Sequence, residues 1–375
     1  MSKLKVIHIC DKFGMKGSTI HGVSRLFAWW LPRYNSDRFD VKLYAVKSPE
    51  GASRSLEAEG VNMTYLGKSA FDPSTLSAIV KVIKQEQADV VQLHGWIAAN
   101  FGRVAGRLTG VPTIMHEHGV DPSFPRSQRI ADRMLSGCTH TALAVSKSVR
   151  DFLISQRSVS ADKIKIIYNG APLSEFSPVS DEEASRVRKE LGIPANRQVV
   201  GTVGRLDTQK GLTYLLKAVK IILKSAPDTH FVIVGDGPKK EELEREASDL
   251  QITGNVTFAG HRSDVQTLQS FFSVQAFPSL WEGTPLTVFE AMAMGLPIVS
   301  TDVDGLGEVL ENNKSALIVE PKNPEQLAEG ILKVLGDHDL SNKLRTGAVV
   351  QSRHFDIDQT VRNLESLYEE LCAKR

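Results

Sequence analysis

The sequence predicts an α/β protein made of two doubly wound domains. Short runs rich in valine and isoleucine alternate with helical patterns along the 375 residues, which is typical of parallel sheets covered by helices. The chain is longer than one average domain and fits two of roughly 150 to 200 residues. Because ligands of such sheets bind beyond the carboxyl ends of the strands, the loops after each strand are where a site is expected.

The first domain is expected at residues 1–177. It begins with the β-branched run KVIHIC, which reads as a first parallel strand. Strands are predicted at 5–10, 40–46, 62–66, 89–93 and 112–116, and helices at 23–34, 74–87 and 98–110. The segments 142–146 and 163–169 complete the domain.

The second domain is expected at residues 178–354, and residues 355–375 are predicted to form a separate C-terminal helical segment. The sequence of the second domain again alternates between apolar runs and amphipathic stretches. Strands are predicted at 199–203, 231–237, 273–278 and 296–300, and helices at 181–191, 286–294, 324–335 and 339–350, with another beginning at Leu212.

Composition excludes several classes of protein. No apolar run reaches the ~20 residues of a membrane span, and the N-terminal apolar core is too short for a signal peptide, so we expect a cytoplasmic protein. Three widely spaced cysteines suggest neither a disulfide framework nor a zinc site. Residues 1–178 carry 23 Lys/Arg against 15 Asp/Glu, but they contain no dense basic run, and we therefore expect no nucleic-acid partner.

The stretch from 277 to 300 carries the strongest functional pattern. Thr284 is predicted to cap a helix whose first position is Pro285, and Gly295 is placed to end it. Glu282 and Glu290 would lie roughly 12 Å apart along the axis, with the free N–H groups of the first turn between them. An anionic diphosphate suits that helix start, while the two carboxylates accept from sugar and ribose hydroxyls. The alternative is a surface helix with an ordinary glutamate.

This stretch resembles a known family. Glu282-Gly283, Pro285-Leu286 and the run from 290 to 299 are similar to the motif of glycosyltransferase family 4, the retaining nucleotide-sugar transferases of the GT-B fold. The resemblance implies two Rossmann-like domains facing a central cleft, with the last helix crossing back to the N-terminal domain. It implies donor contacts from the segment Gly283, Thr284, Pro285, Leu286 and Thr287, and from Glu290. Thr284 departs from the family pattern, in which an aromatic residue is frequent.

Arg205 and Lys210 lie on one predicted strand-to-helix loop. Two cations placed there would neutralise the charge that develops on a departing diphosphate, which is work that a metal does in other enzymes. The resemblance gives both residues this phosphate-binding role, and the alternative is a pair of exposed basic residues.

The resemblance also assigns roles to four residues outside these two segments. His118 would contact the donor sugar, Gly22 belongs to a glycine-rich turn near acceptor and phosphate, and Asn169 lies at the exit of the first domain. Arg262 or its backbone neighbours would contact the nucleobase. For His118 the alternative is a structural histidine, and for Asn169 a generic Asn-Gly turn.

No metal site is predicted. His116, Glu117 and His118 are consecutive in or after a strand, where neighbouring side chains point to opposite faces, so they are not expected to converge on one ion. The sequence from 302 to 304 is Asp-Val-Asp, a metal-binding pattern of another glycosyltransferase fold, but Arg205 and Lys210 already account for phosphate neutralisation. We therefore expect no cofactor beyond a nucleoside diphosphate sugar as donor substrate.

Phe27, Trp29 and Trp30 stand beside Arg25 and Arg33 on the first predicted helix. This combination is open to two interpretations: peripheral contact with an anionic membrane face or lipid-linked acceptor, or packing of the helix on its own sheet. The second is favoured.

Together these patterns predict a metal-independent retaining glycosyltransferase. It would move a hexosyl group from a UDP- or GDP-sugar to a hydroxyl of a carbohydrate, lipid-linked or small-molecule acceptor, in the biosynthesis of polysaccharide, lipopolysaccharide or glycolipid. His118, Glu282, Arg205 and Lys210 are the predicted catalytic residues. The alternative is an enzyme of the same fold that epimerises or hydrolyses the donor alone. Oligomeric state is not readable from the sequence.

Overall fold

The computed structural model describes residues 3–14, 22–70 and 72–374. They fall into two compact units, Met1–Gly170 with Ile357–Arg375, and Ala171–Asp356. Residues 15–21, which precede the predicted glycine turn at Gly22, lie outside the described residues.

Each unit is built on one parallel sheet, which confirms the predicted α/β class. The first has seven strands in the order β3-β2-β1-β4-β5-β6-β7, and the second has six in the order β10-β9-β8-β11-β12-β13. The strands are β1 (Leu4–Cys10), β2 (Phe39–Ala45), β3 (Met63–Tyr65), β4 (Val90–His94), β5 (Thr113–Glu117), β6 (Thr141–Ala144), β7 (Ile164–Ile166), β8 (Val199–Val203), β9 (His230–Val234), β10 (Val256–Gly260), β11 (Val274–Phe277), β12 (Ile298–Thr301) and β13 (Leu317–Val319).

Helices cover both sheets. They are α1 (Gly22–Trp30), α2 (Gly51–Ala58), α3 (Ser74–Glu86), α4 (Trp96–Thr109), α5 (Arg126–Leu135), α6 (Lys147–Ser155), α7 (Asp181–Glu190), α8 (Leu212–Ser225), α9 (Lys240–Asp249), α10 (Val265–Gln269), α11 (Leu286–Ala293), α12 (Asp304–Val309), α13 (Pro324–Gly336), α14 (His338–Ser352) and α15 (Ile357–Ala373). Central strands such as β4 and β8 are buried along their whole length, as expected for parallel strands covered on both faces.

Strand order reverses once in each sheet. In the first unit the reversal lies between β1 and β4, and in the second between β8 and β11. Loops leave such neighbouring strands in opposite directions and open a crevice at their carboxyl ends. The residues that follow these four strands are therefore the best placed to bind a ligand.

The C-terminal helix α15 belongs to the first unit, as the resemblance implied. Glu365 accepts a hydrogen bond from the Asn35 N–H at 2.7 Å, and Thr360 donates to the Tyr168 carbonyl at 3.1 Å. The chain passes between units after Gly170 and after Asp356, rather than after 177 and 354. Residues from Ala171 onward belong to the second unit because the Ala171 N–H donates to Phe355 O at 3.0 Å.

The aromatic residues of α1 pack inside the first unit. Phe27 and Trp30 are fully buried and Trp29 nearly so, so these side chains do not offer the membrane contact that the sequence left open. None of the helices within the described ranges combines the length and apolar character needed to cross a bilayer.

Candidate functional site

The crevice of the second unit contains a buried ion pair. Lys210 follows β8, Glu282 follows β11, and the Lys210 Nζ lies 2.6 Å from Glu282 Oε1. The Glu282 carboxylate also accepts from Ser279 Oγ at 2.7 Å and from Gln209 Nε2 at 3.1 Å. Glu282 is only 3 % exposed, and three donors offset the cost of burying its charge. The structure thus joins two residues that the sequence assigned to phosphate and sugar separately.

The loop that carries Lys210 is held close to the segment after β11. The Asp207 side chain caps the turn Thr208–Lys210, and Gly211 follows with φ +62°. A Cβ atom at Gly211 would fall 2.0 Å from Pro278 O, so glycine allows both the left-handed backbone and the close approach. This contact fixes the distance between the ends of β8 and β11, and with it the ion pair.

Arg205 lies on the same loop as Lys210 and forms an ion pair with Asp207. Its side chain is 27 % exposed. Together with Gly204 and Lys210 it lines a small cavity at the carboxyl ends of β8, β9 and β11. The predicted pairing of two cations on one loop is therefore present, and both cations have carboxylate partners.

Helix α11 begins at Leu286, so Pro285 does not take the first helical position that the sequence suggested. Pro285 occupies the N-cap position with ψ 130°, and no side chain caps the helix, so the prediction that Thr284 caps it is wrong. In the part of the chain that the structure describes, the N–H groups of Leu286 and Thr287 donate no hydrogen bond. The buried Thr287 hydroxyl also lacks a partner there. These donors and the helix dipole make the start of α11 suited to an anion.

Glu290 lies inside α11 and is fully buried. The predicted contact with ribose hydroxyls requires access that this arrangement does not offer, and the role stays a prediction. Gly283 is also buried, and a Cβ at Gly305 would fall 1.2 Å from Gly283 O. The segment before α11 is thus pressed against the start of α12, where only glycine fits.

Arg262 is engaged by carboxylates on the surface of the second unit. Its guanidinium contacts Asp264 at 2.6 Å and Glu190 at 2.7 Å. Hydrogen bonds to both carboxylates raise the pKa of Arg262. A base contact from this side chain would have to compete with two ion pairs, and the role of Arg262 or its backbone neighbours stays a prediction.

The crevice of the first unit contains a group of histidines beside one carboxylate, that of Asp11, which accepts from the N–H groups of Ile97 and Ala98. His94 ends β4, His116 lies on β5, and the two are paired in the strand register. The His94 Nδ1 lies 2.9 Å from His118 Nε2, and the rings of His116 and His118 are centred 4.0 Å apart. Behind them, His8 Nδ1 lies 3.0 Å from His94 Nε2.

The geometric argument against a metal at these histidines is wrong in part. His116 and His118 are two residues apart, so they share a face, and with His94 they place nitrogen atoms within 4.8 Å of one another. Glu117 points away from them and binds Arg157 at 2.5 Å. Gln92 Nε2 lies 2.7 Å from His116 Nδ1, which makes Nδ1 the acceptor and places the proton on Nε2. In that tautomer neither nitrogen of His116 is available to bind a metal, and the absence of a metal stays a prediction.

Burial keeps the inner histidines neutral. It lowers the pKa of His8 to about 3 and lowers the pKa of His94 and His116 well below the ordinary value. Neighbouring histidines lower the pKa values of His94 and His116 further, because each charge would repel the next.

The remaining predicted residues lie in the first unit. Gly22 is exposed and begins α1, and Asn169 is buried after β7. Sequence reasoning did not single out His8, Gln92, His94 or Tyr368 as a group, nor Gln209 and Ser279. Their position in the predicted sheets could have identified them, because most of these residues lie on or just after strands next to a reversal of strand order.

Comparisons with known proteins agree with this geometry. The model of Glycosyltransferase Family 4 matches residues 20–175, and that of Glycosyl transferases group 1 matches residues 183–349. The chain is 26 % identical to the UDP-Gal:alpha-D-GlcNAc-diphosphoundecaprenol alpha-1,3-galactosyltransferase of Escherichia coli, over 100 % of this chain and 99 % of that protein. It is 28 % identical to a D-inositol 3-phosphate glycosyltransferase of Corynebacterium jeikeium, over 76 % of this chain and 72 % of that protein.

Solved structures share the fold. A glycosyltransferase from Rickettsia africae superposes with a TM-score of 0.85 at 20 % identity, over 99 % of both chains. Anabaena HepE in complex with UDP-glucose superposes with a TM-score of 0.83 at 21 % identity, over 98 % of this chain and 100 % of that one.

Proposed function

Since this chain belongs to glycosyltransferase family 4 and has the GT-B fold, we propose that it is a retaining hexosyltransferase that uses a nucleoside diphosphate sugar. The donor is a UDP- or GDP-hexose, and the E. coli relative, which uses UDP-Gal, favours uridine. The acceptor is a hydroxyl of a growing glycan, and the same relative favours one linked to a lipid diphosphate.

The observation that carries the proposal is the start of α11. Two N–H groups without partners among the described residues, on Leu286 and Thr287, lie in the first turn of α11, and this helix follows the same strand, β11, as Glu282 of the Lys210–Glu282 pair. A diphosphate would receive hydrogen bonds from both and lie at the positive end of the helix dipole. Arg205 adds a second cation from the loop after β8.

Lys210 changes partner in the proposed mechanism. Without donor it neutralises the buried Glu282. When a diphosphate arrives, the ammonium moves toward the phosphate oxygens, and Glu282 becomes free to accept hydrogen bonds from sugar hydroxyls. As the glycosidic bond breaks, Lys210, Arg205 and the α11 amides stabilise the charge on the leaving diphosphate, so the step needs no metal.

Retention is proposed to follow from front-face attack. No side chain in the matched motifs is placed as a nucleophile, so the acceptor oxygen bonds to the anomeric carbon on the side from which the diphosphate leaves. The acceptor proton passes to the leaving phosphate oxygen. His118 is proposed to hold the donor sugar during this step.

The test of this function is a donor panel with analysis of products. Purified protein is incubated with UDP- and GDP-hexoses and a lipid-diphosphate-linked sugar, and the anomeric coupling in the product is read by NMR. An α-linked product from an α-linked donor supports the proposal, and a β-linked product contradicts it. Sugar release or epimerisation without acceptor would instead support the alternative, an enzyme acting on the donor alone. Undiminished turnover in EDTA is expected, and activity restored by added metal contradicts metal independence.

Contact with an anionic membrane is proposed for a different surface from the one that the sequence suggested. Helix α5 exposes a stripe of alternating charge and apolar side chains along one face. Its members are Arg126, Arg129, Ile130, Arg133 and Met134. Ile130 and Met134 are 62 % and 79 % exposed, and a basic amphipathic helix of this kind favours the interface of anionic lipids.

Vesicle sedimentation tests this surface. The protein is expected to bind vesicles that contain anionic phosphatidylglycerol more strongly than neutral phosphatidylcholine vesicles. The double variant Ile130→Ser with Met134→Ser should lose most of that binding. A matched control, Val350→Ser on α14, removes an apolar side chain that is also exposed and should have no effect. Equal binding by the α5 variant and wild type would contradict the assignment.

A further inference from the structure

A chain of hydrogen bonds in the first unit connects the C-terminal helix to His118. The Tyr34 and Tyr368 hydroxyl oxygens lie 3.0 Å apart, and each lies 3.4 Å from His8 Nε2. His8 Nδ1 then lies 3.0 Å from His94 Nε2, and His94 Nδ1 lies 2.9 Å from His118 Nε2. Three imidazoles and two phenols are thus connected end to end.

The chain is enclosed by aromatic residues. His8 and His94 are buried, and the edges or faces of Phe27 and Trp30 lie against them. Burial holds both rings neutral. A neutral imidazole has one nitrogen that donates and one that accepts, so fixing either end of the chain fixes the tautomer of every ring in it.

The inner end is fixed by Gln92. Tyr368 donates its hydroxyl proton to Gln92 Oε1 at 2.6 Å. The short contact between the two phenols therefore requires Tyr34 to donate to the Tyr368 oxygen. With both hydroxyl protons committed, neither phenol can donate to His8. The Nε2 of His8 must then carry the proton and donate toward the phenol oxygens.

The direction of hydrogen-bond donation is passed from His8 through His94 to His118. Because His8 Nε2 is protonated, its Nδ1 accepts from the Nε2–H of His94. His94 Nδ1 in turn accepts from the Nε2–H of His118. The outer ring, when neutral, therefore carries its lone pair on Nδ1.

We propose that Tyr368, His8 and His94 are positioning residues that hold His118 in its Nε2–H tautomer, so that His118 Nδ1 accepts a hydrogen bond from a hydroxyl of the donor sugar. The sugar contact rests on the proposed function, whereas the tautomer does not. The arrangement selects donors that present an O–H group at this position and gives the C-terminal helix α15 a role in specificity.

Two tyrosine variants form a matched pair, since each removes a single hydroxyl group. In Tyr368→Phe the Tyr34 proton loses its acceptor, and its remaining partner is His8 Nε2. That nitrogen then accepts, His8 donates from Nδ1, and the direction of the whole chain reverses. In Tyr34→Phe, Tyr368 still donates to Gln92, and its oxygen still accepts from His8, so the direction is kept.

The tautomers are read directly by long-range ¹H–¹⁵N NMR of histidine-labelled protein without donor. In wild type and in Tyr34→Phe, His118 is expected to show a protonated Nε2 and an unprotonated Nδ1. In Tyr368→Phe the His118 Nδ1 signal should move to the protonated position for most molecules. A protonated Nδ1 in wild type overturns the proposal, whether or not the enzyme is active. If Tyr368→Phe does not fold, the wild-type spectrum still decides.

Kinetics separate positioning from a merely structural effect. With an accepted donor, Tyr368→Phe should raise the donor KM about tenfold at nearly unchanged kcat, the size expected for one lost hydrogen bond. Tyr34→Phe should change KM less than about twofold. A fall in kcat at unchanged KM, or equal effects of the two variants, contradicts the positioning role. Absence of turnover with every donor would instead count against the proposed function and leave the tautomer result standing.

Discussion

The two units place polar side chains at the same point of the same topology but with different chemistry. Beyond β8 and β11, the second unit holds cations that are paired with carboxylates, Lys210 with Glu282 and Arg205 with Asp207. On and after β1 and β4, the first unit holds a hydrogen-bonded chain of histidines, in which burial keeps His8 and His94 neutral. The comparison illustrates that the reversal of strand order provides a crevice, and we propose that the side chains decide whether it suits a diphosphate or a sugar hydroxyl.

Away from this crevice, the first unit also contains a buried network of ion pairs. Asp132 on α5 is fully buried between Arg103 and Arg157, with contacts of 2.6 and 2.9 Å, and Arg157 also binds Glu117. This network joins α4, α5 and the ends of β5 and α6. We therefore expect its charges to act on stability, whereas those of the second unit are proposed to act on a ligand.

The largest expected effect breaks that network. Asp132→Asn leaves Arg103 without a carboxylate in a buried site and should lower the free energy of unfolding by about 3–5 kcal/mol. Urea denaturation followed by tryptophan fluorescence measures this, because Trp29, Trp30 and Trp96 lie in the first unit. The exposed Asp151→Asn is the control and should change stability by less than about 0.5 kcal/mol. Equal stabilities of the two variants would contradict a structural role for Asp132.

The second prediction concerns the charges of the second unit. Lys210→Ala should lower kcat/KM about a hundredfold to a thousandfold, because a preorganised cation for the leaving group is lost. Steady-state kinetics with the accepted donor provide the measurement. Lys220→Ala, which removes an exposed lysine of α8, should remain close to wild type. Comparable activity of both variants would show that Lys210 does not stabilise the diphosphate.

The third prediction is a loss of stability in acid that originates in the first unit. The folded pKa of His8 is about 3, below the ordinary unfolded value of about 6.5. The unfolded chain therefore binds more protons below about pH 6.5, and each such histidine removes about 1.4 kcal/mol of folding free energy per pH unit as the pH falls toward 3. Burial raises the pKa of Asp11 to about 6, which opposes this trend with one group.

Urea midpoints between pH 7.5 and 5.5 measure the slope. The slope of the unfolding free energy with pH gives the number of protons taken up on unfolding. His8→Gln should reduce that number by up to one. His354→Gln, which changes an exposed histidine, should leave it unchanged. A slope that is the same in all three proteins would contradict neutral burial of His8.

The smallest effect is expected at Arg262. Its guanidinium is paired with Asp264 and Glu190 near the surface, and such pairs contribute little. Arg262→Ala should weaken UDP binding less than about threefold by calorimetry, similar to the exposed Arg245→Ala. A loss of about tenfold or more would instead assign the side chain a direct contact with the base.

The sequence predicted the sheets well because parallel strands buried on both faces are continuous apolar runs. The strand Val199–Val203 is observed at the predicted bounds. The helices that it did not predict include α5 and α9, whose residues are mostly polar. Such helices contribute few buried side chains, so their apolar periodicity is short.

Only part of the candidate site was predicted, because local sequence patterns do not report contacts between distant residues. Motif spacing identified Lys210 and Glu282, but pairing of the two depends on the approach of the loops after β8 and β11 at Gly211. The histidine chain joins residues more than 300 positions apart, from His8 to Tyr368. No local pattern carries that information, because it depends on where α15 packs.

The most direct test of the account is a crystal structure with UDP bound. The diphosphate is expected at the start of α11, with oxygen atoms about 2.7–3.2 Å from the N–H groups of Leu286 and Thr287 and with Lys210 turned from Glu282 toward a phosphate. A diphosphate bound elsewhere, with both amides still unoccupied and the Lys210–Glu282 pair intact, would contradict it.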